Sequence, residues 1–184
     1  MFDSNSTHPA HITVLPNRSR FETAVSRILD HHAAGSRGSA VLHITVQSFT
    51  GTGAVSMRLL NLTGLALRAG MHEGEVAYLG DAEFAVFLHD TDARDAALYA
   101  RTMVNVIGNF KVEWHDEMLS ISACIGGVTT DDCVDGRALL CQAAAAGELA
   151  RQKPGCRVHM AHAAETRPQP PQFTGASLEP AFAA

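Results

Sequence analysis

Two acidic side chains, Asp81 and Glu83, lie in the run Gly80-Asp81-Ala82-Glu83-Phe84, at a turn signal between two short apolar segments. Carboxylates that close together could hold a divalent cation and neutralise the charge that develops in phosphoryl transfer. Side chains alternate along a strand, so neither acid is expected to point where residue 82 points, although a turn tip bends that rule. The plainer reading makes Asp81 a turn residue that tolerates positive φ and Glu83 a solvated residue at the start of a strand. Upstream, Gly51-Thr52-Gly53 precedes a helical pattern and could offer backbone N–H groups to a phosphate. It lacks the Gly-Lys-Ser/Thr of a phosphate-cradling loop, so it reads as an ordinary loop.

The metal-binding residue types are scattered. His8, His11, His31, His32, His159 and His162 form no His-x3-His on one helical face beside a carboxylate, so they read as core or surface residues and no metal is expected. Cys124, Cys133, Cys141 and Cys156 contain no Cys-x-x-Cys pair, which argues against a zinc or redox motif and for reduced, buried thiols. Phe110 and Trp114 share one strand and read as core. No aromatic-plus-basic pattern suggests single-stranded nucleic acid.

These residues must be positioned by alternating helices and strands. Phe21, Val25, Ile28 and Leu29 fall at helical spacing after Pro16-Asn17. Residues 39–46 alternate and are β-branched, predicting a strand. A second helix is expected over 55–69, with Leu59, Leu62, Ala66 and Ala69 along its apolar side. Residues 75–79 and 83–89 flank the Gly80-Asp81 turn signal and predict a β-hairpin. A third helix is expected over 93–107, with Ala96, Tyr99, Met103 and Ile107 in register. Strands over 110–114 and 119–129, a fourth helix over 139–151 stopped by Pro154-Gly155, and a short strand over 157–160 complete the order α-β-α-β-β-α-β-β-α-β. That order predicts an α/β (α+β) domain with a mixed sheet flanked by helices.

The 184 residues suffice for one well-buried domain. With 46% hydrophobic and 18% charged residues, the composition is that of a globular protein. A formal net charge of −5 and the absence of any basic run exclude an electrostatic footprint for nucleic acid or an acidic membrane surface. No signal-peptide pattern opens the sequence, no apolar run approaches the roughly 20 residues of a membrane span, and a cytoplasmic protein is expected. Residues 1–11 read as a flexible N-terminus, 12–162 as the folded unit, and 163–184, with Arg167-Pro168-Gln169-Pro170-Pro171, as a disordered Pro/Ala-rich tail.

Four segments in order resemble the GGDEF family of diguanylate cyclases. Val76-Ala77-Tyr78-Leu79-Gly80-Asp81-Ala82-Glu83-Phe84 and the apolar strand after it resemble the family's Arg-Leu-Gly-Gly-Asp/Glu-Glu-Phe hairpin. Thr13-Val14-Leu15-Pro16-Asn17-Arg18 resembles its Thr-Gly-Leu-Pro-Asn-Arg entry to the first helix. Residues 121–128 resemble its Thr-Ala-Ser-Ile-Gly-Val-Ala strand, and Gly155-Cys156-Arg157-Val158 its Gly-Arg-Asn-Arg-Val ending. The similarity spans about residues 12–160 and implies a nucleotidyl-cyclase-like mixed sheet. Family members join two GTP molecules into cyclic di-GMP with bridging metal ions.

The resemblance also implies what this chain lacks. The first metal carboxylate of Ile-Asp-Leu-Asp-Asn-Phe-Lys falls on Thr45, within Ile44-Thr45-Val46-Gln47-Ser48-Phe49-Thr50, and the second falls on Ala82. The guanine-contacting stretch that follows in the family is several residues shorter here, without its Asn or Gly-His. The Arg-x-x-Asp product-inhibition site falls on Met71 and Gly74. Arg151 stands where active members carry a phosphate-steadying lysine, and is either a residual phosphate contact or a surface residue complementing a helix dipole. The expectation is a non-catalytic domain without metal or cofactor. It would act through a protein partner in cyclic di-GMP signalling, with homodimerisation left open. Its alternatives are a GTP sensor without turnover and an active cyclase with a rearranged metal site.

Overall fold

The computed structural model describes residues 15–30, 38–48, 57–71, 73–114, 117–130, 135–153 and 157–161. Ten elements follow the expected order: α1 (Arg18–Asp30), β1 (Ala40–Ser48), α2 (Met57–Ala69), β2 (Gly74–Gly80), β3 (Glu83–Leu88), α3 (Ala93–Gly108), β4 (Lys111–Trp114), β5 (Glu117–Thr129), α4 (Gly136–Gln152) and β6 (Val158–Ala161). The strands run β2-β3-β1-β5-β4, with β6 also on β5. All pairings are antiparallel except β5 with β6, so the sheet is mixed.

The period-2 alternation of β1 divides the core into two layers. Ala40, Leu42, Ile44 and Val46 join Phe84, Val86, Ile121, Ala123 and Ile125 in a layer completed by Leu59, Leu60 and Leu67 of α2 and Ala96, Ala100, Met103 and Ile107 of α3. Val41 points the other way, with Ala85, Phe87 and Val128, against Phe21 and Val25 of α1 and Leu139, Leu140 and Ala143 of α4. His43 and Thr45 share the parity of Val41, which places them on the α1/α4 side.

Helix boundaries follow local chemistry. Asn17 accepts from Arg20 N–H at 3.0 Å at the start of α1; Asp92 accepts from Asp95 N–H at 2.8 Å to cap α3, and Asp135 from Arg137 N–H at 3.1 Å to cap α4. Tyr99 Oη donates to the Leu67 carbonyl at 2.7 Å and ties α3 to α2. On the opposite layer α4 lies unusually close to β5: a Cβ built on Gly126 would stand 2.0 Å from Gly147 N and 2.1 Å from the Ala143 carbonyl oxygen. Only glycine lets the two backbones approach so far.

Two expectations need correcting. The apolar side of α2 is not Leu59, Leu62, Ala66 and Ala69. Leu59, Leu60, Thr63, Gly64 and Leu67 are buried, Leu62 is 40% exposed, and Ala69 is exposed. Leucines occupy so many positions of this helix that spacing alone does not select a face. Among the thiols, Cys124 is buried but Cys141 is exposed on α4, and both are free. Cys133, Cys156, His8, His11, His31, His32, His162, Gly51-Thr52-Gly53, Pro154-Gly155 and both expected termini lie outside the described residues.

Candidate functional site at the hairpin tip

The hairpin forms where its turn chemistry places it, one residue later than the Gly80-Asp81 signal suggests. Gly80 pairs with Glu83, leaving Asp81 and Ala82 as the two turn residues, and the register shifts between Tyr78 and Gly80. Asp81 (φ 47°) and Ala82 (φ 63°) are both left-handed, as the primed hairpin turns require, and Gly80 has φ 98°. Asp tolerates this conformation through local hydrogen bonding. Ala has no such help and carries a penalty of about 1–2 kcal/mol.

The tip is fastened to β1. Val46 N–H donates to the Ala82 carbonyl at 3.0 Å, and Thr45 lies opposite Glu83 on one side and Cys124 on the other. The register therefore makes the backbones of Thr45 and residue 82 neighbours, with Thr45 on the α1/α4 side of the sheet and Ala82 on the other. Neither supplies a carboxylate. Ala82 is half-buried and packs against the α2/α3 layer.

Glu83 is not the freely solvated side chain expected at a strand start. Its Oε2 lies 3.3 Å from Nε2 of His43, and its side chain is 34% exposed. His43 is buried, and its Nδ1 has no hydrogen-bond partner. Burial lowers the imidazole pKa below its ordinary 6.5; the nearby Glu83 carboxylate opposes that shift without cancelling it. The ring is accordingly neutral at pH 7, with Nε2–H donating to the carboxylate. Sequence reading missed His43, although one signal was available. It stands two residues before Thr45 and therefore shares its face.

Other polar groups gather around the same end of the sheet. Arg157 Nη1 donates to Ser122 Oγ at 3.1 Å and sits 3.8 Å from Cys124 Sγ, while Ser122 lies opposite Gln47. A cleft of about 430 Å³ opens between the start of α1 and the end of β2, with Asn17, Arg18, Glu22, Tyr78, Leu79 and Gly80 in its walls. Arg18 reaches Glu22 at 3.9 Å, a half-exposed pair of little energetic weight. Arg151 is half-exposed on α4 and engaged with Glu148 one turn away. Met71 packs partly buried against the α2/α3 layer, and Gly74 has φ 155° at the start of β2. A Cβ at Gly74 would meet the Phe87 carbonyl oxygen at 2.1 Å, so the position holds glycine for close packing.

The residues here do not fit a catalytic cation. Mg²⁺ prefers near-ideal octahedral oxygen coordination and is normally held by one or two carboxylates. A threonine hydroxyl, an alanine methyl, a carboxylate already shared with His43 and an exposed Asp81 on the turn tip do not provide that set. Among the described residues, no group of three or more His, Cys, Asp or Glu side chains is placed to hold a metal ion. No helix among them is long and apolar enough to cross a membrane.

Solved structures similar to this chain are GGDEF domains. That of YfiN (TpbB) from Pseudomonas aeruginosa is 27% identical and superposes with a TM-score of 0.71, over 82% of this chain and 98% of that one. The diguanylate cyclase SiaD from P. aeruginosa, crystallised with its activator SiaC, is 19% identical at a TM-score of 0.70, over 80% of this chain and 59% of that one. The FimX GGDEF domain from the same organism is 17% identical at a TM-score of 0.68, over 82% and 96% of the two chains. No family model matches the sequence, and no curated protein does.

Proposed function

We propose that this chain, a GGDEF-like domain, is a non-catalytic signalling module that works through protein contacts in cyclic di-GMP signalling. One observation carries the reading. The register sets Thr45 opposite Glu83 and bonds Val46 to Ala82, so the backbones of the positions that would anchor the family's cations are adjacent. Their side chains, a hydroxyl on the α1/α4 side and a methyl on the α2/α3 side, supply no carboxylate. The carboxylate opposite Thr45, that of Glu83, is shared with His43. Without an anchored cation, the charge developing on a transferred phosphoryl group has nothing to neutralise it.

A GGDEF neighbour crystallised with an activator protein supports contact with proteins as a mode of action for this fold. On the same reading the folded unit spans residues 12–162, Met71 and Gly74 leave no product-inhibition site, and Arg151 serves the surface of α4. The test is turnover. Purified protein incubated with GTP and Mg²⁺ or Mn²⁺ should yield no cyclic di-GMP by chromatography above a no-enzyme control. Product formed in proportion to protein, and abolished by Glu83→Gln, would replace this reading with an active site built around Glu83.

A further inference from the structure

His43 is a buried base built into the junction of four elements. It lies on β1, its Nε2 meets Glu83 of β3, and its Nδ1 is buried without a partner. A Cβ placed on Gly147 of α4 would come within 3.7 Å of that Nδ1. The neighbour on β5 is Gly126, where an added Cβ would collide with the backbone of α4. Beyond it, in the same row, stands His159 of β6. The charged groups that act on the ring are Glu83 from β3, Glu148 from α4 and Arg18 from α1; β5 contributes the Cys124 thiol opposite Thr45. Thr45 and Ala82 carry no ligating carboxylate, so the ring's titration is set by these groups.

We propose that His43 is an acid-sensitive latch that lets α4 seat on the sheet while neutral and unseats it when protonated, with the Glu83 contact keeping the ring on the hairpin in both states. The neutral ring suits its surroundings: Nε2–H donates to Glu83, and bare Nδ1 faces the backbone of α4 at the cost of one unmet acceptor. A second proton would make Nδ1 a donor with no acceptor in reach, and a buried unmet donor is expensive. It would also put a cation under α4, where Arg18 repels it and where Glu83, one-third exposed, and the exposed Glu148 compensate only through partly screened attraction. Water can reach Nδ1 only if α4 lifts from the sheet at Gly126 and Gly147. The sign follows from burial. His43 binds its proton less readily folded than unfolded, so its contribution to stability is complete above about pH 6.5 and falls away below it, down through the lowered folded value. The device does not depend on whether the domain is catalytic.

Two measurements on the full chain test it. Histidine ring NMR on the wild-type protein should show His43 as the Nε2–H tautomer, titrating below 6.5. The amides of Gly126, Gly147 and Glu83 should shift along the same curve. Hydrogen exchange at Gly147, corrected for intrinsic rates, should lose about tenfold of its protection for each pKa unit of depression once His43 is protonated. In parallel, the melting temperature of the wild type should fall between about pH 7.5 and pH 5.5 more steeply than that of His43→Gln, which can still donate to Glu83 but does not titrate. A His43 that titrates at or above 6.5, or equal slopes in the two proteins, would overturn the latch. Should His43→Gln not fold, the ring titration and the coupled amide shifts decide alone.

Discussion

Replacing Gly126 by alanine should unseat α4, and the effect can be sized from the packing. The added Cβ would lie 2.0 Å from Gly147 N, 2.1 Å from the Ala143 carbonyl oxygen and 2.6 Å from Gly147 Cα, all backbone atoms that no rotamer change can move. Ordinary contact begins near 3.4 Å, so α4 must retreat by about 1.4 Å along its length over β5. Overpacking a core typically costs 1–3 kcal/mol when side chains can adjust. Here a whole helix must move, leaving Leu139, Leu140 and Ala143 poorly packed, so the cost should reach about 3 kcal/mol or more. For a domain of this size that lowers the melting temperature by roughly 6–12 °C. Gly127→Ala is the internal control. Its Cβ would meet Met160 Sδ at 2.5 Å and Leu42 Cδ2 at 2.6 Å, the far ends of flexible side chains on the opposite layer. It should cost about 1–2 kcal/mol. Urea denaturation of both variants gives the comparison directly. A Gly126→Ala protein within about 1 kcal/mol of wild type, or one more stable than Gly127→Ala, would refute the inference that backbone proximity fixes α4.

Further outcomes follow from single positions. Ala82→Gly should stabilise the domain by about 0.5–1 kcal/mol, because relief of the left-handed conformation exceeds the added flexibility of the unfolded chain; the urea midpoint should rise. Tyr99→Phe removes the bond to the Leu67 carbonyl and should cost about 0.5–1.5 kcal/mol by the same method. Thr45→Asp combined with Ala82→Asp should not restore GTP turnover, because on the proposed reading the guanine-contacting stretch between β1 and α2 is shortened and lacks its Asn and Gly-His. Cyclic di-GMP from that double variant would show that carboxylates alone were missing.

Much of this architecture was legible in the sequence for physical reasons. The hairpin was carried by a Gly-Asp turn between β-rich runs, and the helices by apolar spacing and their Asn17, Asp92 and Asp135 starts. The buried face of α2 was not, because Leu59, Leu60, Leu62, Leu65 and Leu67 leave no unique stripe and tertiary packing decides which of them is covered. Cys141 was misplaced for a related reason, since an alanine-rich helix hides which side meets the sheet. At the candidate site, the identities of Thr45 and Ala82 were plain, but the role of Glu83 depends on the β1–β3 register, a long-range property no local pattern encodes. His43 was concealed inside an apolar strand, where its parity with Thr45 was the sole clue.

The central claim, that this domain has lost the means to hold GTP with its cations, is tested most directly by calorimetric titration of the purified protein with GTP in the presence of Mg²⁺. The account predicts no saturable heat and no rise in melting temperature at millimolar nucleotide, since a ligand that binds only the native state must stabilise it. Saturable binding in the micromolar range, accompanied by a matching thermal shift, would contradict the account and make the domain a nucleotide sensor.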